Sequence, residues 1–251
     1  MTQPDPGVPN LSDDSVRRTV RATLPANALR PRRWRILYLL PLWALAVAMS
    51  LVIVTVDLPP YGARERELRE PFCLPAHLGL PCIPESSAGA GSPTPAQTTE
   101  MMKLDLDWSD IADWVKRWDV PVLIKGVLSP RDAELALAHG AAGVIVSNHG
   151  GRQLDTAIAT IDALPGIASA LDGRAEILLD GGVRRGTDVV KALARGARAV
   201  LLGRPVAYGL AVSGQTGVAA VLSQLASETE NALALCGCRV VSEADEALIS
   251  A

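Results

Sequence analysis

Residues 177–205 read ILLDGGVRRGTDVVKALARGARAVLLGRP. The stretch opens on a short apolar run, Ile177 to Leu179, with the length and composition of a buried strand. Asp180, Gly181, Gly182, Val183 and Arg184 follow as a turn. Thr187 to Ala194 then carries a helical pattern, and Gly196 closes it. A second apolar run, Ala199 to Leu202, ends at Gly203 and Arg204. A strand, a glycine turn, a helix and another strand in direct succession form the repeating unit of a parallel sheet.

Upstream the same grammar recurs. Val144 to Val146 is an apolar run that ends in Ser147-Asn148-His149-Gly150-Gly151-Arg152. Before it, Val120 to Ile124, flanked by Pro121 and Gly126, reads as a buried strand with Lys125 after its end. Ser129 and Pro130 open a helix as N-cap and first-turn residues, Ala and Leu fill it, and Gly140 closes it. A helix-like stretch around Trp108 to Trp118 precedes this unit. Four strands, each followed by helical sequence, predict an α/β fold, either a parallel (β/α) barrel or a doubly wound sheet. Both architectures place chemistry at the C-terminal ends of strands, so the polar strand ends converge on one rim.

Composition supports a globular chain and narrows its partners. The 251 residues are 49% hydrophobic and 20% charged, which excludes wholesale disorder. Lys plus Arg total 24 against 27 for Asp plus Glu, so a net charge of −3 gives no general attraction to polyphosphate, and nucleic acid is not an expected partner. Nine aromatic residues and 21 glycines leave a core of small aliphatics. The four cysteines are too few for a disulfide framework and read as free thiols, although Cys73 and Cys82 are placed to pair in an oxidising compartment. Residues 1 to about 33, with six arginines and little periodicity, read as a mobile tail. Ile36 to Val56 contains no charge and meets the length test for a membrane span, with arginines before it. Within it, Pro41 disturbs a helix and Leu51 to Val56 (LVIVTV) suits a buried parallel strand better. Residues 83–100, rich in Pro, Gly, Ser, Ala and Thr, read as a flexible loop. The expected division is therefore residues 1–50, a tail with an apolar segment, and residues 51–251, an α/β unit.

Two chemical features stand out. Glycines at 181, 182 and 203, with Arg184, Arg204 and a following helix N-terminus, make a natural phosphate cradle, although tight-turn glycines beside a solvated arginine give the same letters. His149 lies between Asn148 and a glycine pair, three residues before Arg152, so a base sits beside a cation that suits a carboxylate. The competing reading of His149 is a hydrogen-bonded rim histidine. His77, in a loop, and His139, at a helix C-terminus, read as structural. Lys125 after an apolar run needs a salt bridge or an anionic ligand.

The run VSNHGGRQLD (146–155), the stretch 177–205, DWSDIADWVKRWDVPVLIKGV upstream and TVDLPPYGARERELREPF (55–72) together resemble the FMN-dependent 2-hydroxy acid dehydrogenases and oxidases. That family includes glycolate oxidase, lactate oxidase, mandelate dehydrogenase and flavocytochrome lactate dehydrogenase. The resemblance implies a TIM-type barrel of which this chain carries strands four to eight, FMN as cofactor, and oxidation of a small L-2-hydroxy acid to the 2-oxo acid. It implies His149 as the base and Asp57 as the carboxylate that orients it, with Arg152 and Arg64 on the substrate carboxylate. It further implies Lys125 beside the flavin pyrimidine edge, Thr55 and Ser147 as further flavin contacts, and Asp180, Gly181, Gly182, Val183, Arg184, Gly203 and Arg204 at the ribityl and phosphate site. It makes Leu51 to Val56 a barrel strand, which disfavours a membrane span; the expected location is the cytoplasm, and relatives commonly assemble as homo-oligomers, whereas a truncated barrel could equally aggregate through its open edges. Three strands that the family places ahead of Leu51, with a flavin-binding turn and two substrate-side tyrosines, have no counterpart in residues 1–50. The expected alternatives to an active oxidase are therefore a catalytically incomplete barrel fragment and a protein anchored in a membrane through residues 36–56.

Overall fold

Short continuous apolar runs separated by capped helices build an all-parallel sheet, in which each strand reaches its neighbour through a crossover. The structure, a computed structural model, describes residues 51–58, 62, 65, 69, 70 and 103–249. These lie in one unit of the chain, Ser50–Ala251. The expectations for the tail, for residues 36–50, for the loop at 83–100, and for Arg64, Cys73, His77 and Cys82 fall outside the described residues.

The elements are β1 (Val52–Thr55), α1 (Trp108–Arg117), β2 (Val122–Val127), α2 (Pro130–Ala138), β3 (Gly143–Val146), α3 (Thr160–Leu171), β4 (Glu176–Leu179), α4 (Gly186–Ala194), β5 (Ala199–Val200) and α5 (Arg204–Leu235), followed by two short 3-10 turns. The sheet order is β1-β2-β3-β4-β5 and every pairing is parallel. A doubly wound sheet reverses direction at a switch point, whereas this order runs without reversal, so the sheet is a section of a (β/α) barrel. Val52–Thr55 belong to this sheet, so the apolar run 36–56 does not continue as one membrane-spanning helix.

Register sorts the side chains. Thr55 pairs with Lys125, Lys125 with Ile145, and Ile145 with Leu178. Two residues further along β3 and β4, on the same face, come Ser147 and Asp180. Thr55, Lys125, Ser147 and Asp180 therefore share the inner face at the strands' C-terminal ends. The opposite face carries Val122, Ile124, Val144, Val146, Ile177 and Leu179, which pack with Ile111, Ala133, Ala136, Leu164, Ile167, Leu171 and Ala192 of the surrounding helices as the main core. On the inner face Leu123 and Ile145 are buried, whereas Ile53 on the edge strand β1 is 43% exposed.

Local sequence explains the helix ends. Asp107 accepts from the N–H groups of Ser109 and Asp110, and Asp110 returns a bond to the Asp107 N–H, a capping box that starts α1. Ser129 caps α2, Pro130 occupies its first turn, and His139 ends it. Pro165 inside α3 lacks the N–H that would reach Ile161 O, and the Arg195 guanidinium donates to that carbonyl instead, 3.1 Å away. α5 is broken at Ser213 and Gly214, whose backbone angles leave the helical region. Among the described residues it is the only helix long and apolar enough to span a membrane by length and composition, but the break divides it. Its second half packs on α4.

Candidate active site

The site grows from the inner-face residues at the sheet's C-terminal rim. Lys125, placed after its strand by the apolar run, in fact lies within β2, because that strand continues through Gly126 to Val127 with a register shift. Its ammonium donates to Ser147 Oγ at 3.0 Å and sits 3.3 Å from Asp180 Oδ2. Both charged side chains are largely buried, 15% and 18% exposed. Asp180 Oδ1 is also buried and has no hydrogen-bond partner among the described residues, so this carboxylate retains an acceptor for a donor such as a ligand hydroxyl. Ser147 Oγ additionally accepts from the His149 backbone N–H at 3.1 Å, which links the lysine to the histidine loop.

His149 adopts φ of 56°, an uncommon left-handed conformation for a non-glycine residue. This turns its ring toward the loop after β1, and Nδ1 lies 3.1 Å from Asp57 Oδ1. Opposite a carboxylate acceptor, Nδ1 carries the proton and donates, which leaves the Nε2 lone pair available to accept one. Asp57 is 13% exposed at its side chain, and its Oδ2 is buried without a partner among the described residues. Gly126 makes room for it: φ there is +112°, and a Cβ would lie 2.7 Å from Asp57 Cβ.

The anionic end is built differently from the sequence expectation. The glycine turn ahead of α4 predicts an open helix N-terminus, yet Asp188 Oδ2 accepts from the N–H groups of both Arg184 and Arg185, and Glu228 Oε2 from Gly186 N–H at 2.9 Å. Two carboxylates thus already satisfy that helix end, and the Glu228 carboxyl is held below its ordinary range by the Gln224 amide and then the Gly186 N–H. The start of α5 is free of such a plug, since Gly203 at its N-cap carries no side-chain cap. Arg204 donates from its guanidinium to Gly150 O at 2.9 Å, which fastens this helix start to the histidine loop. Between the two lies a cleft of about 430 Å³ lined among others by Gly150, Gly182, Val183, Arg184, Lys191 and Arg204. Gly182 and Gly203 present open space rather than neighbours on the Cβ side.

The rim therefore joins Asp57, Lys125, Ser147, His149, Asp180 and Arg204 into one bonded array, with Thr55 beside Lys125 in the register. Gly181 is anchored by Thr160, whose hydroxyl donates to its carbonyl at 3.2 Å. Arg152 is exposed on the histidine loop, and Arg184 is exposed at the cleft. Sequence reasoning missed Gln153, Gly126, Thr160 and the plug formed by Asp188 and Glu228. Gln153 stood inside the quoted run, but its bonds depend on a loop far away in sequence.

A protein-family model described as "FMN-dependent dehydrogenase" matches residues 41–251. The chain is 44% identical over 213 residues to the L-lactate oxidase of a Nostoc species, covering 82% of this chain and 58% of that protein. It is likewise 44% identical to the glycolate oxidase of Spinacia oleracea, covering 80% of this chain and 56% of that protein. A solved structure of mandelate oxidase with (S)-4-hydroxymandelic acid superposes with a TM-score of 0.74 at 39% identity, over 80% of this chain and 58% of that one. The chain thus spans little more than half the length of these relatives.

Proposed function

Because the chain belongs to the family of FMN-dependent dehydrogenases, we propose that it takes part in the oxidation of a small L-2-hydroxy acid to the corresponding 2-oxo acid. The observation that carries this reading is the His149–Asp57 pair at the strand rim, with Nδ1 committed to the carboxylate at 3.1 Å. His149 Nε2 is the base that takes a proton from the hydroxy acid, and Asp57 fixes its tautomer and favours the imidazolium that results. Arg152, three residues on, binds the substrate carboxylate with its planar guanidinium, together with Arg64.

The donor set fits FMN. Asp180 Oδ1, buried without a partner among the described residues, suits a ribityl hydroxyl, and Lys125 supplies a fixed positive charge next to it. Thr55 and Ser147 line the same inner face, Gly181, Gly182, Val183, Arg184 and Arg204 line the cleft for the phosphate, and Gly203 adjoins it as the N-cap of α5. When bound, FMN supplies the acceptor for the electron pair that leaves the hydroxy acid. Lys125, held by Ser147 and Asp180, keeps positive charge where negative charge develops, without reorganisation.

The test is the visible spectrum of the purified chain supplied with FMN, before and after anaerobic addition of lactate, glycolate or mandelate. The expected result is retained flavin that bleaches, and retained flavin without bleaching in His149→Gln. Flavin retained by the wild-type chain without bleaching would favour a binding unit that does not turn over, a reading supported by the exposure of Ile53 on the inner face. Failure to retain flavin would sink the assignment of the cleft.

A further inference from the structure

We propose that Gln153 is a positioning residue that holds Asp57 against His149, an inference that rests on the role given to that pair above. Asp57 follows β1, an edge of the described sheet, and His149 follows β3, so their loops stand on strands that are not neighbours. Gln153 joins the two loops directly. Its Nε2 donates to Asp57 O at 2.8 Å and to Leu58 O at 2.9 Å, using both amide hydrogens on two consecutive carbonyls. Its Oε1 accepts from Gly62 N–H at 3.4 Å.

A second observation shows how close the two loops run. A Cβ on Gly62 would lie 2.5 Å from Gln153 O and 2.6 Å from Arg152 O, so backbone meets backbone there and glycine is required. One side chain from the histidine loop thus grips the other loop at Asp57, at the residue after it, and again at residue 62. Only a primary amide offers two donors and an acceptor on one short planar head. A glutamate of the same shape would turn two attractive contacts into repulsion between oxygens. Asp57 itself needs this outside support, because its Oδ2 has no partner among the described residues and cannot fix the carboxylate's orientation. In this proposal Gln153 acts through Asp57.

The consequence is read in the tautomer of His149 rather than in turnover. The chain has three histidines, His77, His139 and His149, so ¹⁵N-histidine labelling of the full chain gives a simple spectrum. Spectra are recorded at about pH 8.5, well above the ordinary histidine value of about 6.5, and His149 is assigned by its loss in His149→Gln. In the wild-type chain neutral His149 should be the Nδ1–H tautomer. His139 should be the same, since its Nδ1 lies 2.7 Å from Leu135 O, and it serves as internal reference. In Gln153→Leu the Nδ1–H form of His149 should fall from major to minor while His139 is unchanged. Gln153→Glu should do the same, and it decides the matter if the leucine variant loses its fold and His139 changes too. Retention of the Nδ1–H form in a folded Gln153 variant would overturn the positioning role. An Nε2–H tautomer already in the wild-type chain would instead sink the Asp57–His149 pairing, and the catalytic reading with it.

Discussion

Replacing Lys125 with methionine removes the only cation bonded to Asp180 among the described residues while nearly preserving volume. The Nζ–Oδ2 distance of 3.3 Å corresponds to a gross attraction of about 5 kcal/mol at the effective dielectric appropriate to protein ion pairs. The desolvation of two largely buried ions opposes most of that, so the intact pair contributes little net stability. Truncating one partner is another matter. Asp180 would keep a buried Oδ1 with no partner among the described residues and lose the counterion on Oδ2, while Ser147 Oγ would lose the ammonium donor. The expected cost of Lys125→Met is about 2–4 kcal/mol, below the full value for a wholly buried pair because both groups retain some solvent contact. Asp180→Asn in the same chain should return part of that loss, giving a coupling of about 1–3 kcal/mol in the double-mutant cycle. Urea unfolding, followed by tryptophan fluorescence and circular dichroism, measures all four corners. A single-variant cost below about 0.5 kcal/mol, or a cycle that closes additively, would refute the view that these charges form one desolvated chain. FMN binding separates the roles further: the double variant should regain stability without regaining flavin affinity.

Gly126→Ala should lower stability by roughly 2–4 kcal/mol, because a left-handed backbone angle and the overlap with Asp57 both oppose the methyl group; melting within a degree of wild type would contradict the close packing. Acid stability should depend on Glu228. Its carboxyl is held low in the folded chain, so the stabilisation it gives is present above the unfolded value of about 4.3 and is lost as pH falls through the lower folded value. Glu228→Gln should therefore be less stable near neutrality yet lose less on acidification from pH 6 to pH 3, and parallel melting curves for the two proteins would show that the carboxylate does not serve α4.

Much of the fold was legible because apolar runs and glycine stops are local signals. Ile177 to Leu179 and Val144 to Val146 each fall inside a strand, and the helix read over Thr187 to Ala194 differs from α4 by one residue at its start. A charge ends an apolar run and so puts Lys125 after its strand in the sequence, but on an inner barrel face a lysine stays in register when Ser147 and Asp180 receive it. The letters at the helix N-terminus after β4, glycine and arginine, suit an anion. Its plug comes from Asp188 one turn on and from Glu228 on α5, and the second of these is separated from Gly186 by 42 residues. Tertiary partners of that kind leave no trace in a local window.

The Asp57–His149 pair shows why the remainder of the site is a property of the fold. Neighbouring strands stand about 4.8 Å apart, so loops rising from β1 and β3 are separated by roughly twice that distance with β2 between them. A side-chain bond across this gap requires the middle strand to yield and the outer loops to lean inward. One concession comes from β2 and two from the loop after β3: Gly126 presents no side chain where Asp57 must pass, His149 accepts a left-handed backbone beside a ring that faces Asp57, and Gln153 draws the Asp57 loop in by its carbonyls. None of these has meaning in isolation, since a strand-end glycine, a rim histidine and a loop glutamine are ordinary residues. Their coincidence at one hydrogen bond between groups 92 residues apart is what the proposed role of His149 as a base rests on.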